Sequence, residues 1–150
     1  MPNRIAVAVI GAGNADTKTR ALAEEVGRLL AESGALLVCG GLGGVMEAAA
    51  KGAKSAGGTT VGILPQPYRH DANAYIDVPI ATGFGEGRNV FIVRTSDALI
   101  AIGGEYGTLS EIAFALKSGK PVIGLNTWDI RGVHKTGSPE EAVTTVFAQI

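Results

Sequence analysis

The chain reads as a three-layer α/β domain, a central parallel sheet with helices on both faces. Five short β-branched runs predict the sheet: Ile5–Ile10, Ala35–Cys39, Thr59–Leu64, Ala98–Ile102 and Pro121–Leu125. Each is almost continuously apolar, as strands covered on both faces are. Helix-period segments lie between them, so strand and helix alternate and right-handed crossovers follow. Glycine is the third observation. It supplies 22 of 150 residues, roughly double an average usage near 7%.

The elements follow in order. Ile5–Ile10 opens the sheet, and its six apolar residues are too few for the core of a signal peptide. Ala21, Leu22, Val26, Leu29 and Leu30 form one helical stripe, opened by Asp16 or Thr17 as a cap and closed by Gly34. Met46, Ala49, Ala50 and Ala53 form a second, ending at Gly57-Gly58. Leu109, Ile112, Ala113 and Leu116 form a third, with Gly119 beyond it. Ser138-Pro139-Glu140-Glu141 is a capping box with proline at the first helical position, opening a last helix through Phe147. The Pro65–Tyr75 stretch stays open between a lid and a plain connection.

Composition narrows the function. Hydrophobic residues are 46% and the formal charge is −1, so disorder is excluded and no basic patch for nucleic acid or acidic tail is expected. The single cysteine, Cys39, forms no internal disulfide and reads as a small buried apolar residue. No apolar run reaches the roughly 18 residues of a membrane span. A single cytoplasmic domain spanning residues 1–150 is the expectation.

The glycines gather where ligands bind. Gly11 and Gly13 follow the first strand, and Gly40, Gly41, Gly43 and Gly44 follow the second. Gly83, Gly85 and Gly87 precede the segment Asn89–Thr95, and Gly103, Gly104 and Gly107 follow Ala98–Ile102. Twelve of the 22 glycines thus sit in turns leading into helices. At the carboxyl edge of a parallel sheet such turns let backbone amides approach an anion, so this edge reads as a phosphate cradle.

Other sites are disfavoured. Gly11-Ala-Gly13-Asn-Ala-Asp16 starts like a dinucleotide fingerprint, but Asp16 takes the third glycine position. Cys39-Gly40 also stands where the ribose-binding acid belongs. There is no P-loop and no Gly-x-Ser-x-Gly elbow. His70 and His134 lack ligand spacing, so no metal site is expected.

Three segments remain: Gly40-Gly41-Leu42-Gly43-Gly44-Val45-Met46-Glu47, Gly85-Glu86-Gly87-Arg88-Asn89, and Gly103-Gly104-Glu105-Tyr106-Gly107-Thr108-Leu109-Ser110-Glu111. In this order, across Ile5 to Leu125, they resemble the LOG-like superfamily. That superfamily includes cytokinin-activating nucleotide phosphoribohydrolases and molybdenum cofactor carrier proteins. The resemblance implies a Rossmann-like fold, a ligand at the glycine-rich edge, and a homodimer or homotetramer. It requires no cofactor for turnover, and implies a nucleotide or molybdenum cofactor as the bound molecule.

The hydrolase branch carries Pro-Gly-Gly-x-Gly-Thr-x-x-Glu and an arginine in Met-x-x-Arg-Lys. Arg88 and Glu111 match the arginine and the final glutamate, and Gly104, Gly107 and Thr108 match the phosphate loop. Gly103 replaces the proline, Glu105 a glycine and Asn89 the lysine. These departures bring the chain closer to the carrier branch. The resemblance therefore implies a carrier or sensor of a phosphorylated small molecule, with nucleoside 5′-monophosphate hydrolysis as the alternative.

Residue chemistry serves both. Glu111 could stabilise an oxocarbenium-like state or activate water, while Arg88 orients a phosphate or a leaving base. Thr108-x-x-Glu111 also reads as a capping box. Around them the expected ligand contacts are Gly11, Gly13, Gly41, Gly43, Gly44, Met46, Glu47, Asn89, Gly103, Gly104, Tyr106, Gly107 and Thr108. Tyr106 could stack on a base or pack; dipole complementarity alone accounts for Glu47, and core packing for Met46.

Overall fold

A computed structural model describes residues 4–150. The chain runs through β1 (Ala6–Gly11), α1 (Thr17–Glu32), β2 (Leu36–Cys39), α2 (Val45–Ser55) and β3 (Thr60–Leu64). A 3-10 turn at Arg69–Asp71 then leads to β4 (Val78–Ala81), and a second at Gly85–Arg88 leads directly into α3 (Asn89–Thr95). β5 (Ala98–Ile102), α4 (Tyr106–Lys117), β6 (Val122–Leu125), β7 (Val133–Thr136) and α5 (Pro139–Gln149) complete it. The described strands form one parallel sheet in the order β4-β3-β2-β1-β5-β6-β7. This is the three-layer architecture the sequence predicts.

Alternation along the central strands divides the core in two. Val7, Val9, Ile100 and Ile102 face one way and pack with Ala23, Val26 and Leu30 of α1, Ala49 and Ala53 of α2, and Val143 and Val146 of α5. Ala8, Ile10, Leu99 and Ala101 face the other way, against Ile92 and Val93 of α3 and Ile112 and Ala115 of α4. Both faces of the sheet are therefore dry, which is why these strands read as unbroken apolar runs.

The helix ends follow local chemistry. Asp16 Oδ1 accepts a hydrogen bond from the Thr19 amide at 2.8 Å, which makes Asp16 the cap and Thr17 the first helical residue. Ser138 Oγ accepts from the Glu141 amide at 3.1 Å, and Glu141 Oε2 accepts from the Gly137 amide at 3.0 Å. Two helix-interior glycines have a packing role that periodicity did not reveal. A Cβ on Gly27 would lie 1.9 Å from the Ala49 carbonyl oxygen, and one on Gly52 1.8 Å from that of Glu24. The α1–α2 crossing is close because both are bare.

Two strands escape the apolar-run criterion, and both are edges. β4 reads Val-Pro-Ile-Ala with alternating exposure, and its Pro79 is tolerated because an edge strand has one unpaired side. β7 reads Val-His-Lys-Thr with His134 and Lys135 exposed. The Pro65–Tyr75 stretch is a tethered connection: the Asn73 amide donates to the Gly41 carbonyl at 2.9 Å and Asn73 Nδ2 to that of Leu42 at 2.8 Å.

Candidate functional site

β1 and β5 are neighbours, but the chain leaves β1 for β2 on one side and β5 for β6 on the other. Such a switch point leaves a crevice beyond the carboxyl ends of the strands. A cleft of about 810 Å³ occupies it. Gly11 and Gly13 line it from the turn after β1, Arg88 and Asn89 from the entry to α3, and Tyr106, Gly107, Thr108 and Glu111 from the first turns of α4. Met46 of α2 also lines it, 8% exposed. Gly11 has to be bare here, since a Cβ would stand 2.6 Å from the Ile102 carbonyl oxygen.

Arg88 is half-buried and held from two sides. Its Nε donates to the Ile63 carbonyl at 2.9 Å, and Nη1 donates to Asn89 Oδ1. Nη2 lies against Gly40, where a Cβ would approach to 2.6 Å. Burial draws its pKa below the ordinary guanidinium value, and Glu111 opposes that shift. The side chain stays charged, with donors left over for a ligand.

Glu111 is 7% exposed, and its carboxyl group makes no hydrogen bond or ion pair among the described residues. Burial pushes its pKa up to about 7, and Arg88 restrains the rise. A carboxyl group with that pKa exchanges its proton near neutrality, as a general acid or base requires.

The capping-box reading of Thr108 and Glu111 is corrected. α4 begins at Tyr106 with Glu105 as its cap residue, so Thr108 lies inside the first turn and Glu111 in the second. Neither position can satisfy the helix start. The Glu105 side chain makes no capping bond either, and the first hydrogen bond of the helix is Leu109 amide to Glu105 carbonyl. The amides of Tyr106, Gly107 and Thr108 therefore have no helical acceptor, and all three residues line the cleft. A helix start of this kind favours an anion.

Other expected contacts lie elsewhere. Gly41, Gly43, Gly44, Gly103 and Gly104 shape the turns without lining the cleft. Gly104, at φ 108, packs under Thr108, where a Cβ would meet that side chain at 2.5 Å. Glu47 lines a separate depression with Arg20, Glu24 and Lys51. Tyr68, Arg69 and His70 are exposed and border neither. Conversely, Asn14, Pro65 and Ser110 line the cleft without having been singled out; position after a strand end was the available signal for the first two. Glu86 and Glu105 also border it, adding carboxylates to an edge with one arginine. Cys39 is buried and its thiol is pushed up to about 11 by burial. Among the described residues no three His, Cys, Asp or Glu side chains gather as a metal site, and no helix is long and apolar enough to cross a membrane.

A doubly wound parallel sheet with its cleft at the switch point, lined by an arginine and a Gly-Thr-x-x-Glu helix start, defines a Rossmann-like domain of the LOG-like class. Within that class the chain belongs to the SLOG cluster4 family, whose model matches residues 4–149. A solved structure described as the molybdenum cofactor binding protein from the phototrophic bacterium Rippkaea orientalis superposes with a TM-score of 0.93. It is 38% identical and covers 97% of both chains. The molybdenum cofactor carrier protein of Chlamydomonas reinhardtii superposes at 0.89, 34% identical over 98% of both. The cytokinin riboside 5′-monophosphate phosphoribohydrolase of Mycobacterium tuberculosis is 38% identical over 117 residues, covering 71% of this chain and 62% of the enzyme.

Proposed function

We propose that the cleft binds a phosphorylated small molecule carrying a ring system, a molybdenum cofactor or a nucleotide, and that the protein acts as its carrier or sensor. The observation that carries this is the start of α4, where three unpartnered amides border a cleft that also holds the Arg88 guanidinium. Backbone amides and a guanidinium are the donor set a phosphate monoester needs. The likeness to the two molybdenum cofactor proteins supports the cofactor as ligand. The free amides and Arg88 suit its phosphate. The residues present offer no thiolate for the metal, because Cys39 is buried and protonated; molybdenum would keep the ligands it arrives with.

One observation favours a second reading, hydrolysis of a nucleoside 5′-monophosphate to free base and ribose 5-phosphate. Glu111 is a buried carboxyl group without a hydrogen-bond partner, poised near pH 7 beside an arginine. In that reaction its carboxylate would face the developing positive charge or take a proton from water, and Arg88 would hold the phosphate. Incubation with AMP and other nucleotides, with base release followed by chromatography, separates the two. Saturable thermal stabilisation without release supports the carrier. Release abolished in Glu111→Ala and Arg88→Ala supports the enzyme. If phosphorylated ligands cause neither, both readings fail. We also propose a homodimer or homotetramer, to be checked by light scattering.

A further inference from the structure

Tyr106 is the first residue of α4 and lines the cleft, yet it is 78% exposed. Its ring is stacked on that of Trp128, with centroids 6.0 Å apart and planes 29° from parallel. Trp128, the only tryptophan in the chain, lies in the loop after β6 and is itself fixed. Its Nε1 donates to the Glu105 carbonyl at 3.2 Å, and the neighbouring Thr127 Oγ1 donates to the Gly103 carbonyl at 2.6 Å. The loop after β6 is thus pinned at two points to the turn that leads into α4. One aromatic ring backs another, and Tyr106 borders the same cleft as the free amides.

We propose that Tyr106, backed by Trp128, is the stacking subsite for the planar heteroaromatic ring of the ligand. This rests on the phosphate-site reading above and adds to it the chemistry of the ligand's other end. The exposed face of Tyr106 gains free energy when a flat ring stacks on it. The tethered indole keeps the phenol ring from turning away, so little ordering remains to be done when a ligand arrives. Trp128 touches no ligand in this arrangement and acts as a positioning residue.

Calorimetry with ribose 5-phosphate and with AMP tests this, since the two share a phosphate and a sugar and differ by the ring. AMP should bind about tenfold or more tightly, the usual yield of one base–aromatic stack. Tyr106→Ala should bring AMP down to the affinity of ribose 5-phosphate, and Tyr106→Phe should restore the difference. Trp128 fluorescence should respond to AMP and not to ribose 5-phosphate, a readout that a merely structural tyrosine would not produce. Equal affinities in the native protein, or an AMP preference that survives Tyr106→Ala, overturns the stacking subsite and leaves the phosphate site standing. Failure of both compounds to bind overturns the phosphate site and the subsite together. Tyr106 is a surface residue, so its variants are expected to fold.

Discussion

After β2 the chain runs Gly40-Gly41-Leu42-Gly43-Gly44 into α2; after β5 it runs Gly103-Gly104-Glu105-Tyr106-Gly107 into α4. In sequence both are strand, glycine cluster and helix. In the fold, the α2 start is filled by the protein itself. The Val45 amide donates to the Ala12 carbonyl at 3.0 Å, and a Cβ on Gly44 would lie 2.2 Å from that same oxygen. At α4 nothing comes within 4 Å of where a Cβ on Gly107 would stand, and the first amides meet no protein acceptor. Glycine in the first turn serves close packing of chain against chain. In the second, Gly104 packs under Thr108 while Gly107 leaves space open. The glycine excess thus has two physical causes, close packing and an open cleft.

Gly44→Ala would break the packed turn. Gly44 sits at φ 62, ψ −127, a region hostile to a side chain, and the added carbon would strike the Ala12 carbonyl. Backbone strain and overpacking together should cost on the order of 3–4 kcal/mol. Denaturant unfolding should show the loss; a variant as stable as the native protein would refute the packing role.

Glu111 tests the open turn through pH. Its pKa is about 7 in the fold against an ordinary 4.5, so between those values the native state binds more protons than the unfolded one. Stability therefore falls as pH rises through that window and levels off above about 7, a contribution on the order of 3 kcal/mol. Glu111→Gln should flatten the slope, leaving the variant similar to the native protein near pH 4 and more stable at pH 8. In the folded protein Glu111 ionises near pH 7, so phosphate-ligand affinity should fall as pH rises from 7 to 8 in the native protein and fall less in the variant. Parallel unfolding curves for the two proteins at pH 5 and pH 8 would sink the assignment.

How much of this was legible in the sequence depended on burial. The five inner strands were legible because the helices dry both their faces, which leaves Val38, Ile100 and Ile123 no polar neighbours along the strand. Val78–Ala81 and Val133–Thr136 were not, since an edge strand alternates or turns polar and its pairing is set by the strand beside it. Gly83, Gly85 and Gly87 did mark a turn into α3, although the strand before them passed unnoticed. In the cleft, Arg88 and the group Tyr106, Gly107, Thr108 and Glu111 were legible because they sit on two of the ordered glycine-rich segments. Which glycines line the cleft was not legible. That depends on Ala12 and Thr108, residues from elsewhere in the chain or turn that fill the space beside Gly44 and Gly104.

Arg88→Lys comes next in size. The Ile63 carbonyl and Asn89 Oδ1 hold a planar fork in place, and a lysine has no fork to hold. Losing one charge-assisted contact of roughly 1.5–3 kcal/mol should weaken a phosphate ligand about tenfold or more. Titration of ribose 5-phosphate against both proteins measures it; unchanged affinity would take Arg88 out of the site.

Gly107→Ala is the smallest change and separates the two kinds of glycine most directly. Gly107 is an exposed helical position with open space above it, so alanine there should raise stability by about 0.5–1 kcal/mol through helix propensity and a less flexible unfolded chain. The same methyl group would stand in the cleft beside amides that a phosphate has to reach. Thermal stability and ligand affinity should therefore move in opposite directions, whereas Gly44→Ala should lower stability first and affinity only as a consequence. If Gly107→Ala gains stability and binds ribose 5-phosphate as well as before, the space over Gly107 is not the anion's place. The open turn would then differ from the packed one only in lacking a neighbour.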